Sequence, residues 1–292
     1  MNPTNRRQFL KELSLGVPAL ALSRSRATYL QAAPLGLPIG LILYTVRDDC
    51  AKDLDGTLSK VAQIGYKEVE VGAPFFGRGA SEIRRILNGN GLTCPSAHWA
   101  VAKTPSEWQK QVEYTGEIGL KYMISTIPLS KPATLDDYKR GAELLNRQGE
   151  QCRKAGIQLT YHNHHFEFKT FDGVVAYDEL LRRTDAKLVK MELDCFWVTF
   201  AGRDPVEYFK KYPGRFALLH IKDLKPGHTP SPHKVEGQPF TEVGRGVIDW
   251  RRIFAAATKG GLKHYFVEQD KCDRPPLESV KISYDYLKAL NV

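Results

Sequence analysis

From Pro38 onward, short apolar runs alternate with longer stretches whose apolar residues recur at helical spacing. Eight runs have the length and composition of strands. They are 39–45 (IGLILYT), 66–71 (YKEVEV), 92–98 (LTCPSAH), 120–125 (LKYMIS), 157–162 (IQLTYH), 187–192 (KLVKME), 216–221 (FALLHI) and 264–268 (HYFVE). Helical patterning occupies 53–64, 80–89, 105–118, 134–155, 174–183, 204–211, 249–260 and 277–290. Gly65, Gly91, Gly119, Gly156 and Gly261 stand just before strands, where a helix C-cap and a short loop place a glycine. Eight strand–helix pairs without a long polar linker predict an α/β chain folded as a single (β/α)8 TIM barrel over 34–292. A doubly wound open sheet is the rival. It leads one to expect a glycine-rich phosphate loop after an early strand, and no GxGxxG is present. The longest irregular piece, Asp223 to Ile248, is rich in proline and glycine and follows the seventh strand. A loop that long in a compact domain is usually functional, and loops on that face of a barrel build the active site.

Composition changes this picture little. The 292 residues are 42% hydrophobic and 26% charged, ordinary globular values. The formal charge is +9. Residues 1–33 hold five basic side chains (Arg6, Arg7, Lys11, Arg24, Arg26) against one acid (Glu12), a net of +4, which leaves +5 for the rest. That remainder shows no basic run, which argues against a nucleic-acid partner. The five cysteines, at 50, 94, 152, 195 and 272, form no CxxC. Neither a disulfide framework nor a zinc ribbon fits, so free thiols are expected.

The N-terminus reads as an address. Arg6-Arg7-Gln8-Phe9-Leu10-Lys11 leads into an apolar stretch, Leu13 to Leu22, and then into small residues at Ala27, Ala32 and Ala33. It resembles a twin-arginine export signal, which makes 1–33 a leader and the periplasm the expected location. The apolar stretch is far short of the ~20 residues of a membrane span, so no stable membrane anchor is expected.

In a barrel, the C-terminal ends of the strands converge on one mouth. Polar residues gather there: Tyr44 and Arg47; Glu68 and Glu70; His98; Tyr161-His162-Asn163-His164-His165-Phe166-Glu167; Glu192 and Asp194; His220, Lys222 and Asp223; Glu268 and Asp270. Carboxylates and imidazoles at four successive strand ends suit one divalent ion of the Mn, Mg, Co or Zn kind. Each has a plainer alternative. His220 could be a core histidine, Glu268 a rim charge, Glu167 a loop carboxylate, and Asp194 a helix N-cap. Lys222 has the strand parity to face the interior, either toward a substrate hydroxyl or in a salt bridge with Asp223 or Glu192.

The segments YHNHHFEF (161–168), ELDCFWV (192–198), LLHIKDLKPG (218–227), VGRGVIDW (243–250) and FVEQD (266–270) resemble the sugar phosphate isomerase/epimerase family, the xylose isomerase-like barrels. The resemblance runs from about 39 to 290. It implies metal ligands Glu167, Asp194, His220 and Glu268, with His162 or His164 as alternatives to Glu167. Glu70, His98, Trp197, Lys222 and Arg245 form the expected substrate-binding set. By the same resemblance, Glu167 and Glu268 are opposed bases that move a proton beside a sugar carbonyl through an enediolate, which makes the chain an isomerase or epimerase. The alternative is a lyase or dehydratase acting on a keto-sugar or 3-keto-glycoside, with His162 and His164 protonating the departing oxygen. A non-catalytic sugar-binding barrel is the third reading. An endonuclease IV-like site is disfavoured, because Trp197 stands where that family carries a histidine. The expected partner is a small sugar or keto-glycoside, and barrels of this group often form homodimers.

Overall fold

The computed structural model describes residues 33–73 and 75–292; the leader expected over 1–33 lies outside the described residues except for Ala33. Eight parallel strands close into a barrel: β1 Gly40–Ile42, β2 Glu68–Gly72, β3 Thr93–His98, β4 Tyr122–Ser125, β5 Gln158–His162, β6 Val189–Asp194, β7 Phe216–Ile221 and β8 His264–Val267. Each pairs with its sequence neighbours, and β1 closes the ring against β8. The single (β/α)8 barrel is therefore the fold, and the open-sheet alternative is excluded.

Every patterned stretch forms its helix, from Leu54–Ile64 to Pro276–Ala289. Local chemistry sets the ends. Thr134 caps Leu135–Lys154 in a reciprocal capping box with Asp137, which satisfies two otherwise unpaired donors. Gly119 and Gly261 end their helices in the left-handed region, at φ 87° and 99°, where a side chain would be strained. Two short helices, Arg47–Lys52 and Cys195–Phe200, escape the sequence pattern. At six residues each they are too short to show a period. Among the described residues no helix is long and apolar enough to cross a membrane.

The main core lies between strands and helices, with Leu41, Val69, Met123, Leu159, Leu193 and Leu219 among its fully buried members. A second cluster, of Ile42, Ile124, Ala217, Leu218 and Phe266, fills the barrel's middle. Strand alternation separates the two. Above that plug the inward positions turn polar: Glu70, Ser96, His162, Glu192 and His220 are all buried. The plug therefore forms a dry floor beneath a charged mouth.

The segment 223–248 is a wall rather than a cover, and it supplies no lining to the mouth cavity. Its ends form a short antiparallel pair, Asp223–Leu224 with Phe240–Thr241. The fully buried Asp223 carboxylate accepts from the backbone N–H groups of Leu224 (2.8 Å), Gly244 (2.9 Å), Gly246 (3.3 Å) and Ile248 (3.2 Å) and from Trp250 Nε1 (3.0 Å). This long piece therefore reaches the site only through Phe240, whose ring lies 5.7 Å from Lys222 Nζ and 5.8 Å from the Trp197 ring; one carboxylate ties down its backbone.

Candidate active site

β5 to β8 deliver one group each to a single point. His162 ends β5, Asp194 ends β6, His220 is the fifth residue of β7, and Glu268 follows β8. Asp194 stands level with His220 across the β6–β7 ladder. His220 Nδ1 lies 2.9 Å from Glu268 Oε2 and 4.0 Å from Asp194 Oδ2. His162 Nε2 lies 3.9 Å from the same Asp194 oxygen. The rival roles for Asp194 prove compatible. Oδ1 caps the helix Cys195–Phe200 by accepting from Trp197 N at 3.0 Å, and Oδ2 is buried with Lys222 Nζ at 3.1 Å. A buried carboxylate oxygen facing two imidazoles and grouped with a second carboxylate offers the donor types a divalent cation takes, in place of that ammonium. Asp194, His220 and Glu268 stand close enough together to hold such an ion, with His162 beside them; the donor types suit Zn, Mn, Co and Mg alike.

Glu167 takes no part in this set, which corrects the expected ligand quartet. Its carboxylate, 1% exposed, accepts from Tyr161 Oη (2.7 Å) and from the His164 backbone N–H (2.9 Å). Tyr161 alternates with the inward His162 and points to the outer layer, and its hydroxyl meets the Glu167 carboxylate there. Burial pushes the Glu167 carboxyl up to about 7, against the pull of those donors. His162, the alternative named for that place, stands at the strand end with Nε2 3.9 Å from Asp194 Oδ2.

Beneath the four ligands lies a network that the sequence exposed only in part. His220 Nε2 is 2.7 Å from Glu70 Oε1. His98 Nε2 is 2.9 Å from both Glu70 Oε1 and Glu192 Oε2, and Glu192 also meets His162 Nδ1 at 3.1 Å. Ser96 donates to Glu70. His98, His162, Glu192 and His220 form a second cluster with ligand-like spacing. Each imidazole is thus aimed by a carboxylate, which fixes both its orientation and its basicity. Burial works against charge on His98, but the Glu192 and Glu70 carboxylates outweigh it and push the imidazolium up to about 10. Burial likewise opposes charge on His220, and Glu192 and Glu268 more than compensate, raising it well above the ordinary range. Burial dominates at His162 and at His164, so both are lowered, His164 strongly.

Lys222 is fully buried beside the ligands. Its Nζ lies 3.1 Å from Asp194, 2.7 Å from Glu268 and 2.7 Å from Asp270, over the rings of Trp197 and Phe196. These carboxylates hold the ammonium well above its usual range against the opposing effect of burial. The expected partners were Asp223 or Glu192; Asp223 points the other way, into the loop it organises.

Above the network opens a cavity of about 230 Å³, lined by Tyr44, Gly72, His98, Thr126, His162, His164, Trp197, His220, Lys222, Glu268 and Asp270, with Ile42 at its base. Of the expected substrate set, His98, Trp197 and Lys222 line it, and Glu70 lies just below as the partner of His98 and His220. Arg245 does not: it is exposed and faces Glu242 at 3.9 Å. The sequence placed Asn163 at the mouth but gave it no role. Its amide exchanges hydrogen bonds with the Asp194 backbone, accepting from N at 3.1 Å and donating to O at 3.4 Å. It extends the β5–β6 ladder by one step and so places Asp194. Strand parity was the available signal, since Asn163 lies between two inward histidines and must face β6 or the shell.

A closed parallel barrel with a buried carboxylate–imidazole cluster that could hold a metal at its mouth is the arrangement of a barrel enzyme family. Residues 58–290 match the model of the xylose isomerase-like TIM barrel family, and the chain belongs to that family. An inosose dehydratase of Lacticaseibacillus casei is 24% identical over 264 residues, covering 80% of this chain and 88% of that one. A sugar phosphate isomerase/epimerase from Parabacteroides distasonis superimposes with a TM-score of 0.73 at 28% identity, over 86% of this chain and 94% of that one. The IolI protein with a bound zinc atom has a TM-score of 0.70 at 14% identity, over 88% of this chain and 99% of that one, and so shares the fold.

Proposed function

We propose that this chain is a divalent-metal-dependent carbon–oxygen lyase. It removes a proton beside the ring carbonyl of a keto-polyol, a keto-inositol or 3-keto-glycoside, and releases the oxygen substituent β to that carbonyl. One observation carries the choice: Glu167 directs its carboxylate into the outer layer, toward Tyr161 and the His164 backbone. Epimerisation by two opposed glutamates needs a second carboxylate at the mouth. Glu268 lacks the glutamate partner from β5; the other carboxylate lining the cavity, Asp270, is paired with Lys222 at 2.7 Å, and β5 offers histidines instead.

When bound, a divalent ion polarises the carbonyl as a Lewis acid. His162, Asp194, His220 and Glu268 would hold it. Lys222 lies beside the same carboxylates, where its ammonium balances the negative charge growing on the carbonyl oxygen. His98 and His164 flank His162, with ring centroids 5.1 and 5.0 Å from it. The His164 imidazole hydrogen-bonds to no other described residue, and burial keeps it neutral. It accepts the α-proton as the C–H bond breaks and its electron pair becomes a C=C bond. His98, held as an imidazolium between Glu70 and Glu192, gives its proton to the leaving oxygen as the C–O bond breaks. Water or an alcohol departs. Positioned proton transfers of this kind contribute roughly 10²–10⁴-fold each.

The inosose dehydratase relatives support elimination. The Parabacteroides structure supports the second reading, in which the same proton is removed and returned without loss of oxygen. NMR of the Mg²⁺-loaded protein in D₂O separates the two, with free ketoses, a keto-inositol and 3-keto-glucosides as substrates. Elimination gives an unsaturated ketone with release of water or aglycone. Deuterium beside the carbonyl of an intact or epimerised sugar would replace the lyase reading with the isomerase one. Export of the chain belongs to the same proposal. Replacing Arg6 and Arg7 with lysine should leave the protein in the cytoplasmic fraction, and unchanged fractionation would refute it.

A further inference from the structure

Two residues on the rim of the mouth cavity have no part in the chemistry above. Tyr44 follows β1 and lines the cavity with its ring, yet the residue is 47% exposed. One face of the ring is braced: the Arg47 guanidinium sits 4.2 Å from its centroid. Arg47 is itself held, donating from Nη1 to Tyr44 O at 2.7 Å and from Nη2 to Asp270 O at 3.4 Å. The ring's orientation is therefore set before any ligand arrives, and no other described ring packs on it. Gly72 ends the neighbouring strand β2 and lines the same cavity. A Cβ built there meets no described residue within 4 Å, and its backbone lies outside the left-handed region. The glycine thus leaves an open notch beside the tyrosine, and no backbone constraint requires a glycine there.

The cavity, at about 230 Å³, falls below the ~300–1,000 Å³ usual for ligand pockets. It suits one six-membered ring. A larger substrate must extend over the rim, where it meets the free face of Tyr44. Sugar rings present an apolar C–H face that stacks on aromatic rings, and a rigid aromatic binds at low entropic cost. The rim offers a phosphate group no free cation: the cavity's one lysine is already paired with three carboxylates, and the Arg47 guanidinium is engaged by the Tyr44 ring and by the Tyr44 and Asp270 carbonyls.

We infer that Tyr44 and Gly72 form a subsite for a second ring, so that the substrate is an uncharged two-ring keto-glycoside. Its keto ring enters the cavity, and its aglycone or second sugar lies on Tyr44 over Gly72. The assignment of that second ring as the leaving group rests on the lyase reading above; the subsite itself does not.

Saturation-transfer NMR on the Mg²⁺-loaded protein tests the subsite without turnover, with glucose as the one-ring probe and cellobiose as the two-ring probe. Both rings of cellobiose should receive saturation in the wild type. The second-ring signal should fall in Tyr44→Ala and in Gly72→Leu, and recover in Tyr44→Phe. Unchanged thermal unfolding of the variants establishes that they fold. In turnover, the kcat/KM ratio of a two-ring 3-keto-glucoside to a keto-inositol should drop roughly three- to tenfold in Tyr44→Ala. A second ring that receives no saturation in the wild type, or a signal and a ratio that neither variant changes, overturns the subsite even if elimination is observed. Saturation of the second ring without elimination from any substrate sustains the subsite and removes the lyase reading.

Discussion

Lys222→Met tests the charge balance of the mouth. The lysine is buried, and its ammonium contacts Asp194, Glu268 and Asp270 at 3.1, 2.7 and 2.7 Å. Methionine is of similar length and uncharged, so the change removes a cation and leaves Asp194 and Glu268 buried beside each other. Removing one partner of a buried ion pair costs about 3–5 kcal/mol. At ~2–4 °C per kcal/mol for a chain of this size, that predicts a Tm lower by roughly 6–20 °C in the absence of metal. A divalent ion supplies the missing charge at the same carboxylates. At a free concentration ~100-fold above its Kd it returns ~2.7 kcal/mol through mass action alone, and its Kd should be tighter in the variant because the competing ammonium is gone. Thermal and urea unfolding followed by circular dichroism, in EDTA and then in saturating Mn²⁺, reads both effects. The reasoning is refuted if the variant in EDTA unfolds within about 1 kcal/mol of wild type, or if Mn²⁺ stabilises both proteins equally.

Three further expectations follow from the geometry. Asp223→Ala leaves four backbone N–H groups and the Trp250 indole without their acceptor. At ~1–3 kcal/mol for each group that water fails to reach, urea denaturation should show a loss of ~3–5 kcal/mol, and a loss under 1 kcal/mol would remove Asp223 as the organiser of the loop. Glu167, with its carboxyl pushed up to about 7 from 4.5 chiefly by burial, binds a proton more tightly folded than unfolded. Its contribution to stability is complete below pH ~4.5 and is lost as the pH rises through 7, so wild type should lose ~1–3 kcal/mol between pH 5 and 8 that Glu167→Gln does not lose; parallel stability–pH curves for the two proteins would contradict this. His164→Asn should lower kcat by roughly 10²–10⁴-fold with metal affinity unchanged by calorimetry, whereas a comparable loss of metal affinity would make His164 a ligand.

The barrel was legible because each strand–helix pair carries its own period and its own punctuation. The helix starting at Leu135 announces itself with Thr134 and Asp137, and the strands are preceded by glycines that the backbone then uses at positive φ. Three of the four expected ligands come together for the same reason: Asp194, His220 and Glu268 lie at or next to strand ends, where alternation fixes direction. Glu167 does not lie there. Four residues separate it from β5, and beyond a strand end the period of two no longer says which way a side chain turns. The Phe166–Phe168 turn rotates it outward. Arg245 fails on the same ground, within a loop whose path depends on the many-donor carboxylate of Asp223. Glu192 and Glu70 were visible as inward acids, but their role as shared partners of three imidazoles depends on distances across the barrel, which no one-dimensional pattern contains.

Lys222 and Asp223 are adjacent in sequence, and strand alternation sends them to opposite jobs. One charges the mouth and the other ties down the 223–248 segment. That pairing bears on turnover kinetics. A lid must swing without moving the groups it covers, yet this segment is anchored through the residue next to a buried ammonium in the site. Opening it would unpair five hydrogen bonds and pull on Lys222 with each cycle. Under the proposed function, substrate and product would therefore pass Tyr44 without displacing this segment. The rate of release would then follow the contacts made at the rim rather than the motion of 223–248.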